Sequence, residues 1–191
     1  MERSIPTCLY CSSQLWNINS NKEKKMKNPI LYISTIALLG LFAGGSIIIW
    51  FIVLPFWQSL SADELMQWFN NYGPRIGITM LPMQIIPLVL SIWAYNLVRK
   101  KDIEGKSLWL WVNISNLIML IMFLAYYLPV NLQFVNQTMN PKDVSSELVR
   151  WEIIHIARTL LAISSTVLAI IAYFKLVRNF IYINMEKNNI L

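Results

Sequence analysis

The chain has 191 residues, 56% hydrophobic and only 14% charged, with a net charge of +6 and a mean hydropathy of +0.49. A soluble domain is about 25% charged, and a chain with 8 Trp, 8 Tyr and 8 Phe does not stay disordered, so both classes are excluded. The basic residues lie scattered between long uncharged runs, which fits loops beside a membrane and excludes a nucleic-acid-binding face, and two cysteines make no disulfide scaffold.

Residues 1–27 form a polar extension rich in Asn, Ser and Lys. Met26 opens Met26-Lys27-Asn28-Pro29 directly before the first apolar run, so Met26 reads as an alternative start of the protein. A signal peptide fits poorly, because the apolar run is too long and lacks a small-x-small cleavage site. Cys8 and Cys11 make a C-x-x-C with no second pair and no nearby His to complete a zinc site.

Four uncharged runs follow. A helix needs about 20 apolar residues to cross a hydrocarbon core, and the runs place spans near 30–54, 77–98, 107–129 and 153–177. Helices are expected because lipid offers nothing to satisfy free backbone groups. The expected fold is therefore all-α: a four-transmembrane-helix bundle over residues 28–178, with a tail at 179–191. In the first span, Gly40-x-x-x-Gly44 with Gly45 and Ser46 reads as a close-packing face.

The loop after span 1 holds Ser61-Ala-Asp63-Glu64, a capping box, and then Leu65, Trp68, Phe69 and Tyr72 at helical spacing up to Gly73-Pro74. This predicts a short amphipathic helix that either anchors at the membrane surface or covers a lipid-accessible pocket. Gln84 lies between Pro82 and Pro87 in span 2, where kinks open room in a bundle. Asn96, Asn113 and Asn116 read as glue between helices. Asn140-Pro141-Lys142-Asp143 is a helix start, so the last helix begins well before its span. Of the 16 basic residues, 12 fall on the side of the termini and the 99–106 loop. By the positive-inside rule both termini are cytoplasmic, and a bacterial plasma membrane is the expected location.

The last helix carries the chemistry. Glu147, Trp151, His155, Arg158 and Ala162 fall on one helical stripe. The uncharged run from Thr159 to Phe174 is 16 residues, about 24 Å, so Arg158 lies at or inside the membrane boundary. A charge there either snorkels to lipid phosphate or finds a partner inside the bundle. His155 is the single histidine, one turn away. It suits a general base, or an axial ligand to haem, but cannot alone hold zinc. Asn131, after Pro129-Val130, lies at a similar depth. Asn131 and Gln84 offer polar contacts to a ligand or to freed carbonyls, and Glu147 either pairs with Arg150 or joins this binding set.

With those residues in place, the chain resembles a family of small four-helix membrane proteins that includes the anthrone oxygenases, many of whose members have no known function. The resemblance spans roughly residues 30–175. It is carried by Gly40, Gly44, Gly45 and Leu54-Pro55, by Leu128-Pro129-Val130-Asn131, and by Trp151-x3-His155-x2-Arg158. It implies oxygenation of an anthrone to an anthraquinone by molecular oxygen, with no metal or flavin cofactor. His155 would remove an acidic C–H proton, Arg158 and Asn131 would hold the enolate oxygen, and Trp151 would stack on the flat, apolar, membrane-soluble substrate. Two other classes fit the residues: a small-ligand or haem-binding membrane protein, and a structural subunit whose Arg158 pairs with a lipid or a partner's acid. The bilayer itself is the expected partner, nucleic acid is not, and nothing in the sequence sets an oligomeric state.

Overall fold

A computed structural model describes residues 28–100 and 105–187; the Cys8–Cys11 pair and Met26 lie outside the described residues. Four helices long and apolar enough to cross a bilayer make this an integral membrane protein. They are α1 (Pro29–Gln58), α2 (Ala62–Arg99), α3 (Lys106–Val135) and α4 (Pro141–Lys187). Each packs on its neighbours in sequence and α4 closes the ring against α1, so the bundle runs up-down-up-down.

The helix starts follow the sequence. Ser61 accepts from the Glu64 N–H, and the Glu64 carboxylate accepts from the Ser61 N–H at 2.9 Å, so the capping box forms in full. The Asn140 side chain accepts from the Lys142 N–H at 3.1 Å, ahead of Pro141.

One expectation about a helix end does not hold. The amphipathic segment is not a separate short helix, because Gly73-Pro74 does not end it; Ala62–Arg99 is continuous, with Pro74, Pro82 and Pro87 inside. A helical proline removes one backbone hydrogen bond, and here packing holds the backbone across it. A Cβ on Gly73 would lie 3.1 Å from the Val135 side chain, and the Asn70 amide donates to the Val135 carbonyl at 2.8 Å. At the other end of the chain α4 stays helical to Lys187, with no Gly or Pro to interrupt it after Pro141.

Leu54-Pro55 and Leu128-Pro129 have a structural consequence that their sequence alone does not announce. Each follows a π-helical segment, Ile49–Val53 in α1 and Phe123–Tyr127 in α3. A proline ring collides with the carbonyl four residues earlier. Those residues, Phe51 and Ala125, are the middle residues of the two π segments. The wider turn relieves the collision at the same height in both helices.

Three clusters of buried side chains fill the bundle. One at the end bearing the 59–61 and 136–140 loops is aromatic, built on Trp57, Phe69, Tyr127, Phe134 and Trp151. A second lies toward the termini, around Tyr32, Trp109, Val112 and Leu176. A small one between them joins Phe42, Ala43, Met119 and Ala162.

The close-packing face on α1 is real at one glycine only. A Cβ on Gly45 would lie 2.7 Å from Met80 of α2, whereas one on Gly44 would meet nothing within 4 Å.

Candidate functional site

The α4 stripe turns inward. Trp151, His155, Arg158 and Ala162 are buried, and Arg158 is 8% exposed, so it does not snorkel to the lipid surface. Together with both π segments and the proline-rich part of α2, Trp151, His155 and Arg158 line a cavity of about 240 Å³. That is many times the roughly 10–15 Å³ a cavity needs to hold one water. Its walls are mostly apolar: Phe42 and Ile49 from α1, Phe69 and Leu81 from α2, and Phe123 and Leu128 from α3.

Arg158 Nη2 donates to Gln84 Oε1 at 2.7 Å. Its guanidinium lies over the Tyr127 ring at 4.8 Å and the Phe42 ring at 5.0 Å, which compensates part of the lost hydration. Among the described residues no carboxylate pairs with the buried Arg158; the nearby Glu147 pairs with Arg150 instead.

His155 is held on three sides. Its ring stacks on Trp151 at 4.8 Å and 17°, and Thr159 donates to its carbonyl at 2.8 Å. Nε2 lies 2.9 Å from the Ser46 carbonyl, which only accepts, so Nε2 carries the proton. The neutral ring then keeps its lone pair on Nδ1, the atom left without a partner.

That atom is one of several. Trp57 Nε1, Gln84 Nε2, Tyr127 Oη and Arg158 Nε are also buried without a hydrogen-bond partner, and all five residues line the cavity, whereas Trp109 Nε1, equally unpartnered, lies in the cluster toward the termini. Buried polar groups are normally satisfied, so each unsatisfied one needs an explanation. The five belong to residues that line one cavity; four of the atoms can donate a hydrogen bond and one, His155 Nδ1, accepts.

The structure brings five of the six expected residues together. His155, Arg158, Gln84, Trp151 and Asn131 all line the cavity, and Asn131 Oδ1 accepts from Trp151 Nε1 at 3.1 Å, which fixes the indole. Glu147 does not line it. Its carboxylate accepts from the Tyr126 hydroxyl at 2.7 Å and from Arg150 at 3.0 Å.

Tyr127, Trp57 and the Ser46 carbonyl were not foreseen. The repeated Leu-Pro was the available signal for Tyr127, which stands directly before the second one. The amphipathic segment contributes Phe69, Gly73 and Pro74 to the lining. No group of His, Cys, Asp and Glu that could hold a metal ion occurs among the described residues. Comparison with protein-family models, with curated proteins and with solved structures finds no match.

Proposed function

We propose that this protein binds a flat, apolar, membrane-soluble aromatic molecule carrying an acceptor oxygen, and oxygenates it with molecular oxygen. The observation that carries the reading is the cavity itself, apolar-walled and ringed by five unpartnered polar atoms. His155 Nδ1 removes a proton from a CH₂ flanked by the aromatic rings. The charge moves to the ring oxygen, which accepts from Arg158 and Tyr127, donors already in place before the charge develops. The carbanion carbon then forms a bond to oxygen, and loss of water with the second C–H hydrogen leaves a carbonyl. In balance, CH₂ and O₂ become C=O and H₂O. This is the chemistry implied by the likeness to the anthrone oxygenases, carried here by His155, Arg158, Trp151 and Asn131.

The charge distribution supports an orientation with both termini cytoplasmic. The cavity, near the other ends of the helices, then lies in the outer leaflet of a bacterial plasma membrane.

Native mass spectrometry with an absorption spectrum, on protein extracted gently from membranes, tests the reading. A co-purifying aromatic molecule should appear, and the His155→Ala Arg158→Ala variant should lack it. Full turnover of an anthrone by His155→Ala would exclude the proton-transfer role. A colourless protein carrying only phospholipid in both forms would favour a structural subunit instead.

A further inference from the structure

The cavity is closed toward the loops and open to the side. At the loop end, Trp57, Leu65, Met66, Phe69 and Trp151 are buried in the aromatic cluster that caps it. On the α1 side, Met80 fills the space against Gly45. The lining residues from α1 and α4 are buried or half-buried. The exposed ones, Pro74, Gly77, Leu128 and Leu132, all belong to α2 and α3.

The gap between those two helices has clear limits. Toward the loops, Gly73 meets Val135 as closely as backbone allows, and Asn70 bonds to the Val135 carbonyl. One turn further along α2 the contact is gone: a Cβ on Gly77 would meet nothing within 4 Å. Toward the termini, Met83 packs against the small cluster that contains Met119, and Ser91 Oγ donates to Asn113 Oδ1 at 2.6 Å. Between Gly73 and Ser91 α2 advances about 27 Å, and across from it α3 carries its π segment. The two helices are apolar on their exposed faces: Ile78 of α2 is 75% exposed, and Ile121 and Leu124 of α3 are exposed too.

We infer that the α2–α3 gap is a lateral window through which an apolar molecule passes directly between the hydrocarbon core and the cavity, and that Gly77 keeps it open. The window serves the ligand-binding reading above, and its physical warrant is separate from the oxygen chemistry. A molecule arriving from water would have to part the packed aromatic cap. One arriving from lipid stays in apolar surroundings until it meets Arg158 and His155. Gly77 has no packing partner to satisfy, so its missing side chain is explained by the free passage it leaves.

Access can be measured without knowing the natural ligand. In full-length chain with Cys8→Ser and Cys11→Ser, Ser46→Cys places a thiol at the cavity, and the protein is reconstituted in phospholipid vesicles. N-phenylmaleimide, flat and membrane-soluble, should modify it, and a membrane-impermeant charged methanethiosulfonate should react at least tenfold more slowly. Adding Gly77→Ala, Gly77→Leu or Gly77→Phe should slow N-phenylmaleimide in that order, by tenfold or more for Phe. Gly44→Phe, at an equally open glycine outside the lining, should change the rate less than twofold.

An unchanged rate in both Gly77→Leu and Gly77→Phe overturns the window. So does labelling by the charged reagent at the rate of the maleimide, labelling by neither reagent, or equal slowing in Gly44→Phe. A protein that labels through the window but binds no aromatic molecule keeps this inference and loses the functional reading. Full-rate labelling of Gly77→Phe in a protein that does bind one has the opposite meaning.

Discussion

Two polar layers cross the bundle, and they are built to opposite rules. Toward the termini, Ser91 bonds to Asn113, and Asn116 donates both to Ser165 at 3.0 Å and to the Val112 carbonyl at 2.8 Å. Toward the loops, Gln84, Tyr127, His155, Arg158 and Trp57 each keep an atom with no partner. The first layer is closed and holds helices together. The second encloses a volume and stays unsatisfied. Polar groups inside a membrane are expensive in either case; on the proposed reading, the difference between the layers separates assembly from ligand binding.

The comparison breaks first at His155. Under the proposed reaction, His155→Ala should lower turnover of an aromatic CH₂ substrate by about 10²–10⁴, the usual contribution of a general base, while far-ultraviolet circular dichroism shows the same helix content. A loss under threefold would put His155 with the structural residues.

Stability should then move in opposite directions in the two layers. Asn116→Leu removes satisfied bonds and should destabilise the bundle by about 0.6–1.7 kcal/mol, the range for hydrogen bonds between membrane helices. Arg158→Met removes a buried charge with no carboxylate beside it and keeps the volume filled, so the ligand-free protein should gain stability, by about 1 kcal/mol or more. Thermal unfolding in one detergent compares the pair, and destabilisation of both would mean that Arg158 has a structural partner.

The smallest effect is expected at the cap. Trp57→Phe keeps ring contacts to Phe69 and Trp151 but deletes the unpartnered Nε1. Stability should shift by less than about 1 kcal/mol, while affinity for an oxygen-bearing aromatic falls by the roughly fivefold to tenfold of one net hydrogen bond. Titration with a matched pair of naphthalene and 2-naphthol, read by tryptophan fluorescence, separates the two: only 2-naphthol should weaken.

Legibility in the sequence follows the range of the forces involved. Uncharged runs, the Ser61–Glu64 box and the Asn140-Pro141 start are local, and each appears where expected. Trp151, His155, Arg158 and Ala162 share a face because they share a helix, so their common burial was also legible. Glu147 obeys the same spacing and still falls outside the cavity lining, because Tyr126 and Arg150 claim its carboxylate across and along the helix. Periodicity gives a direction around an axis; it does not say what stands opposite.

By itself, then, the sequence determined that four helices cross a membrane, which face of the last one is polar, and where most helices start. Those outcomes depend on transfer from water to lipid and on bonds within a few residues. Only the tertiary structure decided that α2 runs through Gly73-Pro74, that the Leu-Pro pairs widen two helices at one level, and that Arg158 faces Gln84 with no acid among the described residues beside it. Each of these depends on contacts between segments that are far apart in the chain, whose residue types are known from the sequence but whose distances are set only when the helices pack.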